Sequence, residues 1–368
     1  MALLAGSAPP AVAIVGGAVV KSSAYPWFVD VLCGGSLVSA TRVVTAAHCV
    51  PPRGFSGWAV HVGGQTRRVV AFAQHPQYVH NRLDGRYNPE GEADDIAILQ
   101  LDRPLANVTP VAVSMLAPRP GAAVRVLGHG QTKPPPASST LVGPASPPEA
   151  EASVTRSPPP NPLRAVDLKT WDDGHCERYW HGATEDRYYP TAFKPGAMWC
   201  AGNPTPKGKL HSACLGDSGG PMLVKQAGSW VLAGVVSWGE RCGADGDPTV
   251  AASAAALRTF IFDPNPAWGP ALAPGTDTTR IAGTIAAGAT ATCSTPLHWT
   301  RAPDHTEIRW LLERRTSNAH PRVVQGGASS TYTIPSGARG DLLSCELIGY
   351  TRGGIVTAPS QYIRVPRT

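Results

Sequence analysis

The sequence predicts an all-β fold, either a barrel or a sandwich. Between Ile14 and Phe262, short apolar or alternating runs such as Arg42–Thr45 and Trp230–Ser237 are separated by Gly, Pro, Asn and Asp, which is typical of such folds. The 39 glycines and 37 prolines also favour strands and turns over long helices. We expect one helix, at Ala252–Phe262. The length of 368 residues indicates two domains, one of them large.

Composition limits the classes of function. The formal charge of +6 is modest and spread along the chain without a Lys/Arg block, so nucleic acid is not expected as a partner. No stretch approaches the roughly 20 apolar residues that a membrane span needs. Eight cysteines occur and none forms a Cys-x-x-Cys pair, which favours disulfides in an oxidising compartment over a zinc or redox site. No metal or cofactor is expected.

Three segments flank or interrupt the large domain, residues 14–262. Met1–Ala13 is apolar and ends in small residues that a signal peptidase accepts, and it is predicted to be a signal-peptide or propeptide remnant. Gln131–Pro162 is rich in Pro, Ser and Ala and is predicted to be a long surface insertion. Residues 263–276 contain four prolines and two glycines and are predicted to be an interdomain linker.

Residues 277–368 are predicted to form a small β domain. Cys293, Trp310 and Cys345 occur in the order in which an immunoglobulin-like sandwich buries a tryptophan against its disulfide. The residue two before the second cysteine is Leu343, where such a sandwich has a tyrosine. We expect an immunoglobulin-like domain, with another small disulfide-linked β domain as the alternative.

Ser218 is the candidate nucleophile. It lies between Gly216 and Gly219, where backbone N–H groups can converge on a developing oxyanion. The alternative is an ordinary exposed serine in a Gly-rich loop. A serine hydroxyl needs a neighbouring base to become nucleophilic, and the base needs an anionic partner.

His48 and Asp95 are the candidates for base and anionic partner. His48 directly follows an apolar strand and precedes Cys49, which can pair back to Cys33 and so fix the position of the ring. Asp95 directly precedes the apolar run Ile96–Leu101. The alternatives are a surface histidine and an acid in a solvated turn.

Seven short motifs are similar to those of one known family. They are Ile14–Gly17, Cys33–Leu37, Thr45–Cys49, Asp95–Leu99, Met198–Gly202, Gly216–Pro221 and Ser237–Gly239. Together they resemble the trypsin/chymotrypsin family of serine endopeptidases over about two thirds of the chain. The resemblance implies two six-stranded antiparallel barrels with the site in the cleft between them, followed here by the small β-sandwich.

The resemblance also implies a role for each site residue. Ser218 would attack the scissile carbonyl, His48 would act as general base and then acid, and Asp95 would orient His48. The backbone N–H groups of Gly216 and Ser218 would form the oxyanion hole. Segment Ser237-Trp238-Gly239 would pair with the substrate backbone as an added strand. The implied disulfides join Cys33 with Cys49, Cys176 with Cys200 and Cys214 with Cys242, which leaves Cys293 with Cys345.

Ile14 and Asp217 would form the activation switch that the resemblance implies. Cleavage before Ile14 would free an α-amine that inserts beside Asp217, so the intact chain would be a weakly active zymogen. The residue before this bond is Ala13 rather than Arg or Lys, so we expect a signal peptidase or an elastase-like protease to make the cut.

Four residues are expected to set substrate preference. Relatives with trypsin-like specificity have an aspartate at the pocket floor, where this chain has Ser212. Gly239 would leave the pocket entrance open, Thr249 would narrow the pocket, and Leu215 would contact substrate. We therefore predict apolar P1 residues such as Leu, Met or Phe.

The sequence thus predicts a secreted serine endopeptidase that acts on protein or peptide substrates. The arginine-rich composition favours a bacterial source. A cell-wall or protein ligand of the C-terminal domain is left open. The alternative is a binding or adhesion protein whose protease fold is catalytically silent.

Overall fold

The computed structural model describes ten stretches of the chain. They are residues 14–31, 33–51, 53–55, 58–78, 94–133, 162–181, 193–203, 210–239, 241–314 and 321–367. The predicted signal or propeptide remnant and most of the predicted insertion lie outside these residues. None of the helices in the described stretches is long and apolar enough to cross a membrane.

The first barrel is a closed antiparallel sheet of six strands. Its strands are β2 (Phe28–Val31), β3 (Cys33–Ser39), β4 (Arg42–Thr45), β5 (Ala59–Val62), β6 (Gln65–Gln74) and β7 (Ala97–Leu101). They follow the order β2-β3-β4-β7-β6-β5, and β5 pairs with β2 to close the ring. Alternation along these strands places valines and leucines inside the barrel, as β5 shows with Val60 and Val62 buried and Ala59 and His61 exposed.

The second barrel is also a ring of six strands. They are β9 (Ala123–Gly128), β10 (Arg164–Thr170), β11 (Met198–Gly202), β12 (Pro221–Gln226), β13 (Ser229–Trp238) and β14 (Thr249–Ser253). The order is β9-β10-β11-β14-β13-β12, and β12 pairs back with β9. Two short strands, β1 (Ala18–Val19) and β8 (Ala112–Val113), pair with β10 and β13. The predicted pair of six-stranded barrels is therefore confirmed.

Helices are few and short, but their positions differ from the expectation. The predicted helix at Ala252–Phe262 is wrong in extent: α2 covers only Arg258–Ile261, because Ala252 and Ser253 belong to strand β14 and residues 254–257 form a turn. A nine-residue helix, α1 (Asp173–His181), was not expected. Its amino end is capped by Asp172, whose Oδ1 accepts a hydrogen bond from the His175 N–H at 2.8 Å.

The C-terminal residues form two packed sheets. One holds β16 (Arg280–Gly283), β17 (Thr290–Ser294) and β21 (Thr331–Thr333). The other holds β19 (His305–Glu313), β20 (Arg322–Gly327), β22 (Leu342–Thr351), β23 (Gly354–Pro359) and β24 (Ile363–Arg364). The Cys293–Cys345 disulfide joins β17 to β22, and the buried Trp310 stacks on Tyr332 at 5.5 Å between ring centroids. Two sheets with a disulfide between them make this part a β-sandwich.

The segment between barrel and sandwich is packed against both. Strand β15 (Ala271–Leu272) pairs with β18 (Trp299–Arg301) of the C-terminal part. Leu272 is buried and belongs to the large apolar cluster that contains the core of the first barrel, and the N–H of Gly269 donates to the Phe72 carbonyl at 2.7 Å. Although rich in proline and glycine, the segment is therefore part of the folded structure.

Candidate active site

His48 lies at the edge of the first barrel, directly after strand β4. A short 3₁₀ turn, Ala47–Cys49, presents the ring, and the disulfide from Cys49 to Cys33 ties the turn to β3. The Thr45 hydroxyl donates to the Gly34 carbonyl at 2.8 Å and holds the end of β4 against the same strand. The histidine is therefore fixed by its neighbours while part of its side chain stays open to the cleft.

Asp95 is buried at the start of the run that becomes β7, and it binds His48 through two atoms. Its Oδ1 accepts the backbone N–H of His48 at 2.9 Å, and its Oδ2 lies 2.7 Å from Nδ1. The hydroxyl of Ser237 donates to the same Oδ2 at 2.6 Å. With Nδ1 occupied, the other ring nitrogen of His48 is the one left for proton transfer.

The electrostatics of Asp95 favour its ionised form. Burial alone raises the pKa of this carboxyl, but the charge of His48 and the hydrogen bonds from His48 and Ser237 outweigh it, so the pKa lies below its usual value. A carboxylate that stays ionised can orient an imidazole and stabilise it when it becomes charged.

Ser218 lies in a turn that glycines make tight enough to meet the first barrel. Gly216 and Gly219 have φ values of +93° and +74°, which side chains rarely adopt. A Cβ on Gly219 would lie 2.2 Å from Thr45 Oγ1, so only glycine fits there. The Gly34 N–H donates to the Ser218 carbonyl at 2.7 Å. These contacts bring the serine turn against the strand that leads to His48.

The backbone N–H groups of the serine turn differ in whether they have an acceptor. The N–H groups of Asp217 and Gly219 donate to the carbonyls of Cys214 and Val236. Within the described part of the chain, the N–H groups of Gly216 and Ser218 donate to no acceptor.

Asp217 is buried beneath the turn. Its two carboxylate oxygens accept the N–H groups of Gly130 and Cys214, each at 2.8 Å. Burial raises its pKa to about 7, against the opposing effect of these two donors. The site is crowded, since a Cβ on Gly128 would lie 2.0 Å from Oδ1. Burial thus outweighs the two N–H donors and disfavours the carboxylate, and no charged group among the described residues compensates for it.

Ile14 is also buried in the second barrel. The residue after it, Val15, accepts a hydrogen bond from the Ser212 N–H at 3.2 Å, which ties the amino-terminal segment to the strand before Cys214. Ile14 has a φ of +59°, an outlier for a β-branched residue. The strain is present only while another residue precedes Ile14, because the φ angle is defined by the preceding carbonyl group. When Ile14 is the first residue, this backbone constraint is gone.

Ser212 and Thr249 meet at the site of the predicted specificity pocket. Both are buried, and their hydroxyl oxygens lie 3.2 Å apart. Thr249 Oγ1 also accepts the Ala213 N–H at 3.3 Å. Neither residue is charged. The nearby buried Asp247 instead accepts hydrogen bonds from the Tyr179 hydroxyl and from the Arg241 N–H at 3.0 Å.

The remaining expected substrate contacts lie along the end of β13 and beside the serine turn. Ser237 and Trp238 are buried, and Trp238 packs edge-to-face on Trp180 at 4.5 Å between centroids. Gly239 is exposed, and Leu215 is 46% exposed next to the turn. The sequence did not predict that Trp180 packs on Trp238 or that Tyr179 binds Asp247, because helix α1, which carries both residues, was not predicted. The one sign of this helix in the sequence is the spacing of Cys176 and Trp180, which are four residues apart.

All four implied disulfides are present in the structure. Among the described residues, one group of potential metal ligands is close together, namely Cys33, His48 and Cys49. Both of its sulfurs are in a disulfide, so the group offers no thiolate to a metal ion.

A cleft between two barrels, with a carboxylate-bound histidine on one side and a glycine-flanked serine on the other, is the architecture of serine endopeptidases. The family model described as Trypsin matches residues 14–261. The chain belongs to the trypsin family and is a serine endopeptidase.

Individual relatives agree with this assignment. The chain is 32% identical to trypsin alpha-4 of Lucilia cuprina over 266 residues, which is 67% of this chain and 86% of the relative. It is 30% identical to trypsin alpha of Drosophila erecta over 265 residues, 68% and 86% of the two chains. Both are insect proteins and give no support to a bacterial source, which stays a prediction.

A solved structure matches the same part of the chain. It is neuropsin, described as a serine protease expressed in the limbic system of mouse brain, with a TM-score of 0.51 and 26% identity. The match covers 68% of this chain and 99% of neuropsin. The remaining third of this chain includes the C-terminal sandwich.

Proposed function

We propose that the chain hydrolyses peptide bonds through Ser218, His48 and Asp95. The observation that supports this best is the double contact of Asp95 with His48, because it fixes the tautomer and the orientation that a general base needs. The Ser237 hydroxyl, which also binds Asp95, holds the carboxylate in place from the second barrel.

The reaction proceeds in two halves. Ser218 Oγ attacks the scissile carbonyl while Nε2 of His48 takes its proton, and the N–H groups of Gly216 and Ser218 stabilise the oxyanion. The imidazolium then gives this proton to the leaving amine, so that the C–N bond breaks and an acyl-enzyme remains. Water, activated by His48, attacks the ester and releases the acid and the free serine.

The pocket supports a preference for apolar P1 residues. Ser212 and Thr249 place two neutral hydroxyl groups at its base, and the carboxylate of Asp247 is engaged by Tyr179 and Arg241. Because the Thr249 side chain narrows the pocket, we propose that Leu and Met are preferred over Phe. Ser237, Trp238 and Gly239 bind the substrate backbone, and Leu215 contacts its side chains.

We further propose that the protein is a secreted zymogen that cleavage before Ile14 activates. Four disulfides agree with an oxidising compartment. The raised pKa of Asp217 and the backbone strain at Ile14 both support the switch, because a free α-amine at Ile14 relieves the strain and supplies the charge that Asp217 lacks.

The C-terminal sandwich is proposed to be immunoglobulin-like. Its disulfide joins the middle strands of the two sheets, and Trp310 is buried opposite Cys345 on the neighbouring strand β19. This is the packing that such domains use.

Covalent labelling tests the proposed chemistry. The chain that begins at Ile14 is incubated with a fluorophosphonate, digested and mapped by mass spectrometry, with Ser218→Ala as the control. We expect a single phosphonylated residue, Ser218, in the wild type and none in the control. A folded wild type that stays unlabelled would favour the catalytically silent binding protein instead.

A further inference from the structure

Gln74, the last residue of β6, connects the C-terminal sandwich to the turn that presents His48. The side chain is buried. Its Oε1 accepts the N–H of Ile355 at 3.2 Å, its Nε2 donates to the Ala47 carbonyl at 3.0 Å, and its backbone N–H donates to the Gly353 carbonyl at 2.8 Å. One residue of the first barrel therefore bonds both to the sandwich and to the residue before His48.

The sandwich contacts the first barrel at this point through the hairpin between β22 and β23. Val356 of β23 is fully buried, and it belongs to the apolar core of the first barrel. A Cβ on Gly54 would lie 3.2 Å from its side chain. The contact is thus an extension of the barrel core, in which apolar burial stabilises the docking.

The hairpin residues are adapted to this contact. A Cβ on Gly353 would lie 1.8 Å from the Ala267 carbonyl oxygen, and one on Gly354, with φ +131°, would lie 2.6 Å from Oε1 of Gln74. The Thr351 hydroxyl donates to the Trp268 carbonyl at 3.1 Å. Glycine at both positions allows the turn to approach Gln74 closely enough to bond.

The hydrogen bond from Gln74 acts on His48 through one rigid peptide group. The Ala47 carbonyl and the His48 N–H belong to the same planar peptide group. Asp95 holds the N–H edge of this plane at 2.9 Å, and Gln74 holds the carbonyl edge at 3.0 Å. The Val50 N–H also donates to the Ala47 carbonyl, at 3.1 Å. Hydrogen bonds therefore hold the peptide group that precedes the His48 side chain at both its N–H and its carbonyl.

We propose that the C-terminal sandwich is a positioning element of the active site, and that Gln74 is the positioning residue through which it fixes the peptide plane of His48. The consequence for catalysis depends on the proposed role of His48, whereas the mechanical coupling does not. The sandwich therefore acts on the chemical step, in addition to any ligand that it binds.

Gln74→Glu separates the two bonds of the side chain. The carboxylate keeps an acceptor for the Ile355 N–H but cannot donate to the Ala47 carbonyl, so the contact toward the sandwich is kept while the contact toward His48 becomes repulsive. Gln100→Glu is the matched control, because Gln100 lies on the adjacent strand β7 and, within the described ranges, its side chain donates to the neighbouring Leu101 carbonyl alone, at 3.2 Å.

A second pair of variants tests the same coupling from the sandwich side. Gly354→Ala places a methyl group against Gln74, whereas Gly327→Ala, at φ +120°, introduces a similar backbone strain with nothing within 4 Å of the new Cβ. If Gln74→Glu does not fold, this pair alone decides the question.

Two quantities are measured on the protein that starts at Ile14 and includes the C-terminal sandwich. Hydrogen exchange of the His48 and Val50 amides is expected to speed up at least tenfold in Gln74→Glu and Gly354→Ala, and to stay within twofold of wild type in both controls. kcat is expected to fall about tenfold in the first two variants with KM within twofold, because positioning acts on the chemical step.

The two readouts distinguish two failures. Exchange rates at the wild-type value in Gln74→Glu and Gly354→Ala would overturn the coupling, as would an equal increase in the controls. Faster exchange with an unchanged kcat would overturn the positioning role. If the wild type itself does not react at Ser218, the proposed function fails, and the exchange rates still decide whether the sandwich holds the His48 turn.

Discussion

The carboxylate of Asp95 binds His48 through both the backbone and the ring, with Oδ1 2.9 Å from the His48 nitrogen and Oδ2 2.7 Å from Nδ1. One buried acid therefore fixes both where the histidine sits and which ring nitrogen is protonated. This relationship crosses 47 residues of sequence and gives the first prediction.

Asp95→Asn is expected to lower kcat/KM about 10⁴-fold while the fold is retained. The amide keeps the shape of the side chain, but its NH₂ group facing Nδ1 favours the wrong tautomer of His48. Ser237→Ala is the comparison: it removes one of the three hydrogen bonds to Asp95 and should cost about 10- to 150-fold, since a single hydrogen bond to a charged group is worth about 1.5–3 kcal/mol. Steady-state kinetics on one peptide substrate measures both, and an Asn variant within tenfold of wild type would contradict the assignment.

Thr249→Gly is expected to raise the ratio of kcat/KM for Phe over Leu at P1 about tenfold. The side chain of Thr249 lies against Ser212, which we propose to be the base of the P1 pocket, so removing it would open room for a larger ring; one methylene group in such a pocket is worth about 10-fold or more. Thr249→Val keeps the volume but removes the hydroxyl, so its ratio should stay near the wild-type value. Peptides that differ only at P1 give both ratios.

The same peptides test the charge preference of the wild type. Neither hydroxyl at the base of the pocket carries a charge, so Leu should be cleaved faster than Arg or Lys. Faster cleavage of the basic peptides would show that an acid reaches the pocket after all.

Alternating apolar runs were sufficient to predict an all-β fold, and the two six-stranded barrels followed from the resemblance that the short motifs carry. The structure brings His48 and Asp95 into contact, whereas the catalytic roles of His48, Asp95 and Ser218 stay predictions. The helix α1 was missed because it is polar on most of its surface and its apolar contacts, Cys176 and Trp180, become evident only when the second barrel is in place.

The role of Gln74 could not be predicted at all. It ends a strand like any polar residue, and its partners Ala47 and Ile355 are 27 and 281 residues away in sequence. Similarly, the composition of residues 263–276 predicts a linker, whereas Leu272 is buried in the apolar cluster that contains the core of the first barrel. Composition describes the backbone preferences of a segment but not the surface that it meets.

Leu272→Ala is expected to lower the free energy of unfolding by about 2–4 kcal/mol, because it empties a buried site in the large apolar cluster that contains the core of the first barrel. Leu116→Ala is the matched control: Leu116 is 75% exposed, and its loss should change stability by less than about 0.5 kcal/mol. Urea unfolding followed by tryptophan fluorescence measures both. If both variants changed the free energy of unfolding by the same small amount, residues 263–276 would be a flexible linker and not part of the core.

Asp217 gives a prediction on pH and amino-terminal processing. Its pKa is raised to about 7 from an ordinary value of 3.8, so between about pH 4 and pH 7 the folded chain retains a proton that the unfolded chain has released. The free energy of unfolding of the intact chain should therefore fall as the pH rises through this window, at up to about 1.4 kcal/mol per pH unit. In a chain that starts at Ile14, the charged α-amine lowers the pKa of Asp217, and this fall should be absent.

Urea titrations at pH 4, 5, 6 and 7 on the intact chain and on the chain that starts at Ile14 test this difference. The lowered pKa of Asp95 acts with the opposite sign, since it contributes stability that is lost as the pH falls, but it is common to both forms and cancels in the comparison. Asp217→Asn in the intact chain is the control, because it removes the titrating group and should remove the fall with it. Identical pH dependence in the two wild-type forms would mean that the amine of Ile14 does not reach Asp217, and the activation switch would then have to be abandoned.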